Sequence, residues 1–148
     1  MRKGPPPPSD PEQGIFEGRS IARRFISPDG FTVLVGRTAA DNDTLTFRLG
    51  RPHDLWLHVA GDSGSHVIVR NPDALPRLPR ETVRFAASLA AGYSKARAGG
   101  RVAVHVATCA DIHKPRGLPP GKVGLARFES VTVAPSRGDE VDAPASSS

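Results

Sequence analysis

The stretch Asp54-Leu55-Trp56-Leu57-His58-Val59-Ala60-Gly61-Asp62-Ser63-Gly64-Ser65-His66-Val67-Ile68-Val69-Arg70 decides the fold. Leu55, Leu57 and Val59 alternate with Trp56 and His58, so a period of two places the two sets on opposite faces of a strand over residues 54–60. Gly61-Asp62-Ser63-Gly64 has turn composition, and the β-branched run that follows reads as a second strand over residues 66–70.

Working towards the amino terminus, residues 21–27 and 31–36 flank Ser27-Pro28-Asp29-Gly30. Proline presets φ and glycine accepts a positive φ, so this reads as a β-hairpin. Residues 39–49 lack a clean period and are expected to form a short helix. On the carboxyl side, Val83, Ala86, Leu89, Ala90 and Tyr93 recur at helical spacing, and Arg80, Arg84, Ser88 and Lys95 fall on another side. This predicts one principal helix over residues 79–97, opened by Pro79 and closed by Gly99-Gly100. A strand over residues 102–108, a basic loop over 113–122 and two short strands near 123–128 and 131–134 complete the series. The expected class is α+β, a mostly antiparallel sheet with one principal helix packed on it and a short extra helix, both helices on one face.

Residues 1–20 combine a proline run with polar residues, and residues 136–148 end in three serines. Both are expected to be disordered tails, removable without loss of stability, around a folded unit at 21–135. Arg2 and Lys3 are followed by Pro5 to Pro8 and no apolar run, which excludes a secretory signal, and no segment is apolar enough to cross a membrane. The chain is therefore expected in the cytoplasm, with no membrane partner. The single cysteine, Cys109, permits no internal disulfide and no cysteine-based zinc site, and reads as a small apolar residue at a strand end.

The net charge of +5 is unevenly spread. Residues 77–127 carry ten Lys or Arg against only Glu81 and Asp111, which makes a polyanion the natural partner of that half. A solvated basic face is the alternative reading of charge alone.

Six stretches in order resemble the NFACT-R domain, the RNA-binding module of ribosome quality-control and fibronectin-binding-like proteins. They are Asp29-Gly30-Phe31 through Val35-Gly36-Arg37, Asn42-Asp43-Thr44-Leu45-Thr46, Asp54-Leu55-Trp56-Leu57-His58, Gly64-Ser65-His66-Val67-Ile68, Leu89-Ala90-Ala91 with Tyr93-Ser94-Lys95-Ala96-Arg97, and Lys114-Pro115-Arg116-Gly117 leading to Pro120-Gly121-Lys122-Val123. His113, where the family more often has lysine, and Asp62-Ser63 before Gly64 depart from the pattern. Long family members carry further domains, so this chain reads as a stand-alone form. The resemblance implies tRNA or ribosomal RNA as partner, and the large ribosomal subunit with it. It implies neither a cofactor nor a small-molecule substrate. A subunit or substrate-delivery domain of an RNA-modifying enzyme is the alternative.

Candidate RNA contacts follow from residue chemistry. Residues 113–122 combine Pro and Gly stiffness with Lys114, Arg116 and Lys122, a composition suited to gripping phosphates. Lys95 and Arg97 either meet phosphate or complement the negative end of the helix. Trp56, His58 and His66 are read as stacking on or hydrogen-bonding to bases, with Ser65 close to a phosphate, against the alternative that Trp56 is core and the histidines are internally satisfied. Arg37 and Arg70 complete the expected set, whereas Arg23, Arg24 and Arg37 together lie far along the chain from the basic loop. His53, His58, His66, His105 and His113 show no metal-ligand spacing. Ser65 and His66 are adjacent on a strand and point to opposite faces, which opposes a Ser65-His66-Asp54 triad. No catalytic residue is expected.

Overall fold

Two segments, Val33-Leu34-Val35 and Val67-Ile68-Val69, are apolar at every position rather than at alternate ones, so the strands they form must be covered on both faces. A computed structural model of the chain describes residues 4–141. It places these segments in strands β4 (Thr32–Gly36) and β6 (Val67–Val69), adjacent interior strands of a six-stranded sheet, every residue of both buried. The other strands are β3 (Ala22–Ile26), β5 (Leu55–Val59), β7 (Val102–Thr108) and β10 (Glu129–Val133), and the order is β10-β7-β5-β6-β4-β3. All neighbours are antiparallel. Short ribbons, β1 (Ile15–Phe16) with β2 (Arg19–Ser20) and β8 (Ile112–His113) with β9 (Gly124–Leu125), flank it.

The α+β class and the hairpin at residues 27–30 are as expected, with Gly30 at φ +90° closing the turn. The placement of the helices differs. Helix α2 (Arg80–Gly92) packs its Ala86, Leu89 and Ala90 on Val33, Val35, Leu57, Val67 and Val104. Residues 39–49 form helix α1 (Ala39–Thr44) and a π-helical turn (Leu45–Leu49) on the opposite face, where Leu45 and Leu49 cover Leu34, Trp56 and Ile68. Strands apolar on both sides leave no alternative to a cover on each. Thr38 starts α1 by accepting the Asp41 amide at 3.0 Å, a side-chain cap.

Helix α2 ends at Gly92, five residues before the expected 97. Gly92 lies so close to the later chain that an added Cβ would sit 1.9 Å from the Ser136 carbonyl oxygen. Beyond it, residues 93–95 leave the helix to hydrogen-bond with residues 63–65. At the start, Pro79 caps rather than enters the helix. Thr82 in the first turn is buried and donates to Asp29 while receiving Ser27, both at 2.8 Å, which fastens α2 to the hairpin turn.

Within the described residues, both segments read as tails make defined contacts with the sheet. Phe16 packs on the face that holds Trp56, the Glu12 carbonyl accepts Arg24 Nε at 3.0 Å, and Arg19 pairs with Asp41 at 2.8 Å. At the other end Ser136 donates to Ser88, and Val141 donates to the Arg24 carbonyl at 2.8 Å. The proline run suppresses helix and strand without preventing the following residues from pairing. Residues 1–3 and 142–148 lie outside the described part. Cys109 is half-buried at the start of a single 3-10 turn after β7, and burial, aided by the Asp54 charge, pushes its thiol up to about 12.

Candidate nucleic-acid interface

The loop over residues 61–66 organises the functional surface. Gly61 turns it at φ +72°, and Gly64 forms an antiparallel bridge with Ser94. The Ser65 amide donates to the Tyr93 carbonyl and the Lys95 amide to the Ser63 carbonyl, at 3.0 and 2.9 Å. A Cβ on Gly64 would stand 2.7 Å from that of Ser94, so only glycine lets the two segments meet. The stitch draws Lys95 and Arg97 beside Ser65, whose hydroxyl donates to the Gly36 carbonyl at 2.8 Å.

The result is an open groove of about 410 Å³ lined by Arg23, Arg37, Lys95, Arg97 and Arg137. Four separate parts of the chain supply these cations. Glu140 reaches Arg23 at 3.4 Å and Arg37 at 3.6 Å, and among the described residues no other carboxylate ion-pairs with any of the five. Arg37 also donates to the Ser20 hydroxyl at 3.3 and 3.2 Å. Arg137 lies over the Tyr93 ring at 4.2 Å and Arg23 at 5.5 Å, and the Arg97 guanidinium donates to the Ser94 carbonyl at 3.1 Å. These contacts hold the guanidiniums in place and leave most of their charge open to the groove.

On the other side of Ser63 and Gly64 lies a cleft of about 210 Å³ walled by Trp56, His58, His66, His105, Gly121 and Lys122. Trp56 and His58 share a face, as their alternation predicts, and their rings stack at 5.9 Å. The expectation that Trp56 and His66 offer rings to bases is corrected, because both are buried. The Trp56 indole N–H points to His66 Nδ1 at 3.4 Å, Thr46 Oγ1 lies 2.7 Å from the same nitrogen, and Nε2 meets the Gly121 carbonyl at 3.0 Å. Two donors at Nδ1 and an acceptor at Nε2 assign the neutral Nε2–H tautomer. Burial lowers His66 to about 4 and also pulls His58 below its ordinary value. His66 is thus a neutral peg joining the sheet to the basic loop. His58 and His105 remain partly exposed, and His105 carries the Phe128 ring at 4.3 Å.

The loop after β8 is stiff for a reason its proline and glycine content does not reveal. Lys114 Nζ donates to the Pro119 and Lys122 carbonyls, each at 2.6 Å, and pairs with Asp43 at 3.0 Å. Asp43 also receives the Gly121 amide at 3.1 Å. The Lys114 ammonium is thus engaged within the loop and by Asp43, whereas its expected place was on a phosphate. Arg116 and Lys122 are exposed. Arg70 is corrected too: it is buried between Asp54 and Glu12, and Asp54 also receives the Asn71 amide at 2.8 Å.

The structure therefore unites Arg37, Ser65, Lys95 and Arg97 in the groove, puts His58 and Lys122 in the adjoining cleft, and leaves Arg116 on the loop beyond. Arg23 and Arg137 were missed as groove residues. Arg23 was read with the far end of the chain, and Arg137 with a tail. The one signal for Arg23 is weak, two adjacent arginines inside a segment otherwise of strand composition, and Arg137 has none. Among the described residues no three His, Cys, Asp or Glu side chains converge as a metal site, and no helix is long and apolar enough to cross a membrane.

A family description, the NFACT protein RNA binding domain, matches residues 22–127. The Rqc2 homolog RqcH of Bacillus subtilis is 33% identical over 115 residues, which cover 78% of this chain and 20% of that protein. The protein of the same name from Streptococcus suis is 37% identical over 120 residues, covering 80% and 21%. The ribosome quality control complex subunit NEMF homolog of Drosophila melanogaster is 36% identical over 72 residues, covering 49% and 7%. The chain thus spans about a fifth of the length of the bacterial relatives. Among solved structures, the C-terminal part of the fibronectin/fibrinogen-binding protein from Streptococcus suis superposes with a TM-score of 0.74 at 34% identity, over 80% of this chain and 47% of that one.

Proposed function

The chain belongs to the NFACT protein RNA-binding domain family, and we propose from this that it binds tRNA or ribosomal RNA through phosphates laid along the groove of Arg23, Arg37, Lys95, Arg97 and Arg137. It acts by binding rather than by catalysis, in the cytoplasm, in ribosome quality control and in contact with the large ribosomal subunit. The observation that carries the reading is the convergence of five cations from four parts of the chain on one groove with Glu140 as their only ion-pair partner among the described residues. Charges spread for solubility alone have no reason to be gathered and held this way. The relatives named for ribosome quality control support the biological setting. The binding reading is supported by His66, whose two ring nitrogens are both committed to structural hydrogen bonds and so are unavailable for proton transfer.

The test is tRNA affinity as a function of salt. Neutralising about four to six phosphates gives a slope of log K against log salt of about −3 to −5. Replacing Arg37, Lys95 and Arg97 by Ala should weaken binding roughly 10- to 100-fold at moderate salt and flatten the slope by about 2 to 3. Arg77, Arg80 and Arg127 to Ala, an equal charge change outside the groove, is the control. Equal losses from both triple variants would reduce the effect to net charge.

A further inference from the structure

The phosphate reading leaves unused a row of rings that runs along the sheet face opposite α2 to the sheet's rim, where Phe128 also lines one pocket with Arg80 and Val83 of α2. His66 precedes β6, Trp56 and His58 belong to β5, His105 to β7, and Phe128 comes immediately before β10. Ring contacts fall in two groups, His66 to Trp56 at 5.3 Å and Trp56 to His58 at 5.9 Å in one, and His105 to Phe128 at 4.3 Å in the other. His58 and His105 are direct partners across the β5–β7 pair. Burial falls along the row, from Trp56 and His66 in the core, through partly exposed His58 and His105, to Phe128 at 48% exposed. No other large apolar side chain among the described residues is as exposed as Phe128.

A phenyl ring left in water forgoes the apolar burial that drives folding, and a ring resting on a strand imidazole is already ordered. The inner rings anchor the outer ones on rigid strands. The cleft between His58, His105 and Lys122 opens beside them, and its 210 Å³ falls below the roughly 300 Å³ where pockets for drug-sized ligands begin. Its rim adds the polar side chains of Asp62 and Ser63 and the ammonium of Lys122, which has no ion-pair partner among the described residues. Ser63 and Gly64 form a wall that the cleft shares with the cationic groove.

We propose that this row is a seat for one unpaired nucleobase, stacked on His105 and Phe128 with its polar edge turned into the cleft and the adjoining phosphate at Lys122. The proposal rests on the RNA-binding reading and adds to it the class of RNA: a strand with a base out of the helix. Aromatic stacking accepts any base, so the seat selects for unpaired structure rather than for sequence.

The experiment uses the intact chain and two RNAs of equal length and charge, a hairpin with 2-aminopurine in its loop and a fully paired duplex. Phe128→Ala and His105→Ala should each lower hairpin affinity by about 5- to 50-fold, the range of a lost base–aromatic stack, while leaving duplex affinity and the salt slope unchanged. Phe128→Trp should retain hairpin binding, and its thermal midpoint shows that the position tolerates change. Quenching of 2-aminopurine on binding should vanish with Phe128→Ala. Equal losses on both RNAs, or an unaltered hairpin affinity while Lys95→Ala with Arg97→Ala weakens both, would overturn the seat and leave the phosphate reading intact. Failure of the unaltered chain to bind either RNA would overturn both.

Discussion

His66 shows how much one side chain can connect. Its ring joins Thr46 of the π-helical turn, Trp56 of β5 and Gly121 of the basic loop, while its amide donates to Asn42 at 3.0 Å. A ring buried neutral, with its pKa lowered from 6.5 to about 4, binds fewer protons when folded than when unfolded over that interval. Stability from this residue is therefore present above pH 6.5 and lost as pH falls towards 4, by about 3 kcal/mol at most. The thermal midpoint should drop over that window, and His66→Gln should flatten the drop even if it lowers the midpoint at pH 7. A profile as steep in the variant would assign the dependence to other groups. At this scale the sequence told which face a residue occupies and not how deep it lies. Alternation placed Trp56 beside His58 correctly, but whether Trp56 is core depends on Leu45 and Leu49 arriving from a helix with no clear period. Arg70 was unreadable for the same reason, since its partners Asp54 and Glu12 are distant in sequence.

Among the elements, the basic loop best separates structural from functional charge. Lys114, Arg116 and Lys122 look alike in sequence, yet the Lys114 ammonium spends its donors on two carbonyls and Asp43. Lys114→Ala should raise amide exchange across residues 115–121, because the loop loses the group that closes it, whereas Lys122→Ala should leave exchange unchanged and weaken RNA binding by a single phosphate contact. Matching exchange in the two variants would remove Lys114 from its closing role. The hairpin and the strands were legible because their turn chemistry and periods are local. The end of α2 was not, because a favourable helical sequence up to Arg97 yields to pairing with a loop about thirty residues earlier. The same hidden pairing brings Lys95 and Arg97 to Arg37, so the groove was beyond a reading of linear charge.

Across the described molecule, residues 12–20 and 136–141 pack and hydrogen-bond against the sheet. Deleting residues 1–20 removes the Phe16 packing, the Glu12 partner of Arg70 and the Arg19–Asp41 pair. The cost should be roughly 2–4 kcal/mol, from one partly buried aromatic and a weakened buried ion pair, or about 10 °C in the thermal midpoint by calorimetry. An unchanged midpoint would return these residues to the disordered lead their composition suggests. The two ends also converge, for Arg24 donates from its guanidinium to the Glu12 carbonyl and accepts the Val141 amide at its own carbonyl. A polypeptide whose entry and exit share one sheet edge behaves under tension like a zipper held at its open end. Load applied at the two ends is expected to open strand β3 from its neighbour in sequence rather than shear the sheet as a block, which single-molecule pulling would read as a low unfolding force. Because Arg137 and Glu140 ride on the outgoing segment, part of the groove's lining and its one carboxylate partner hang on the last described residues staying docked at that edge.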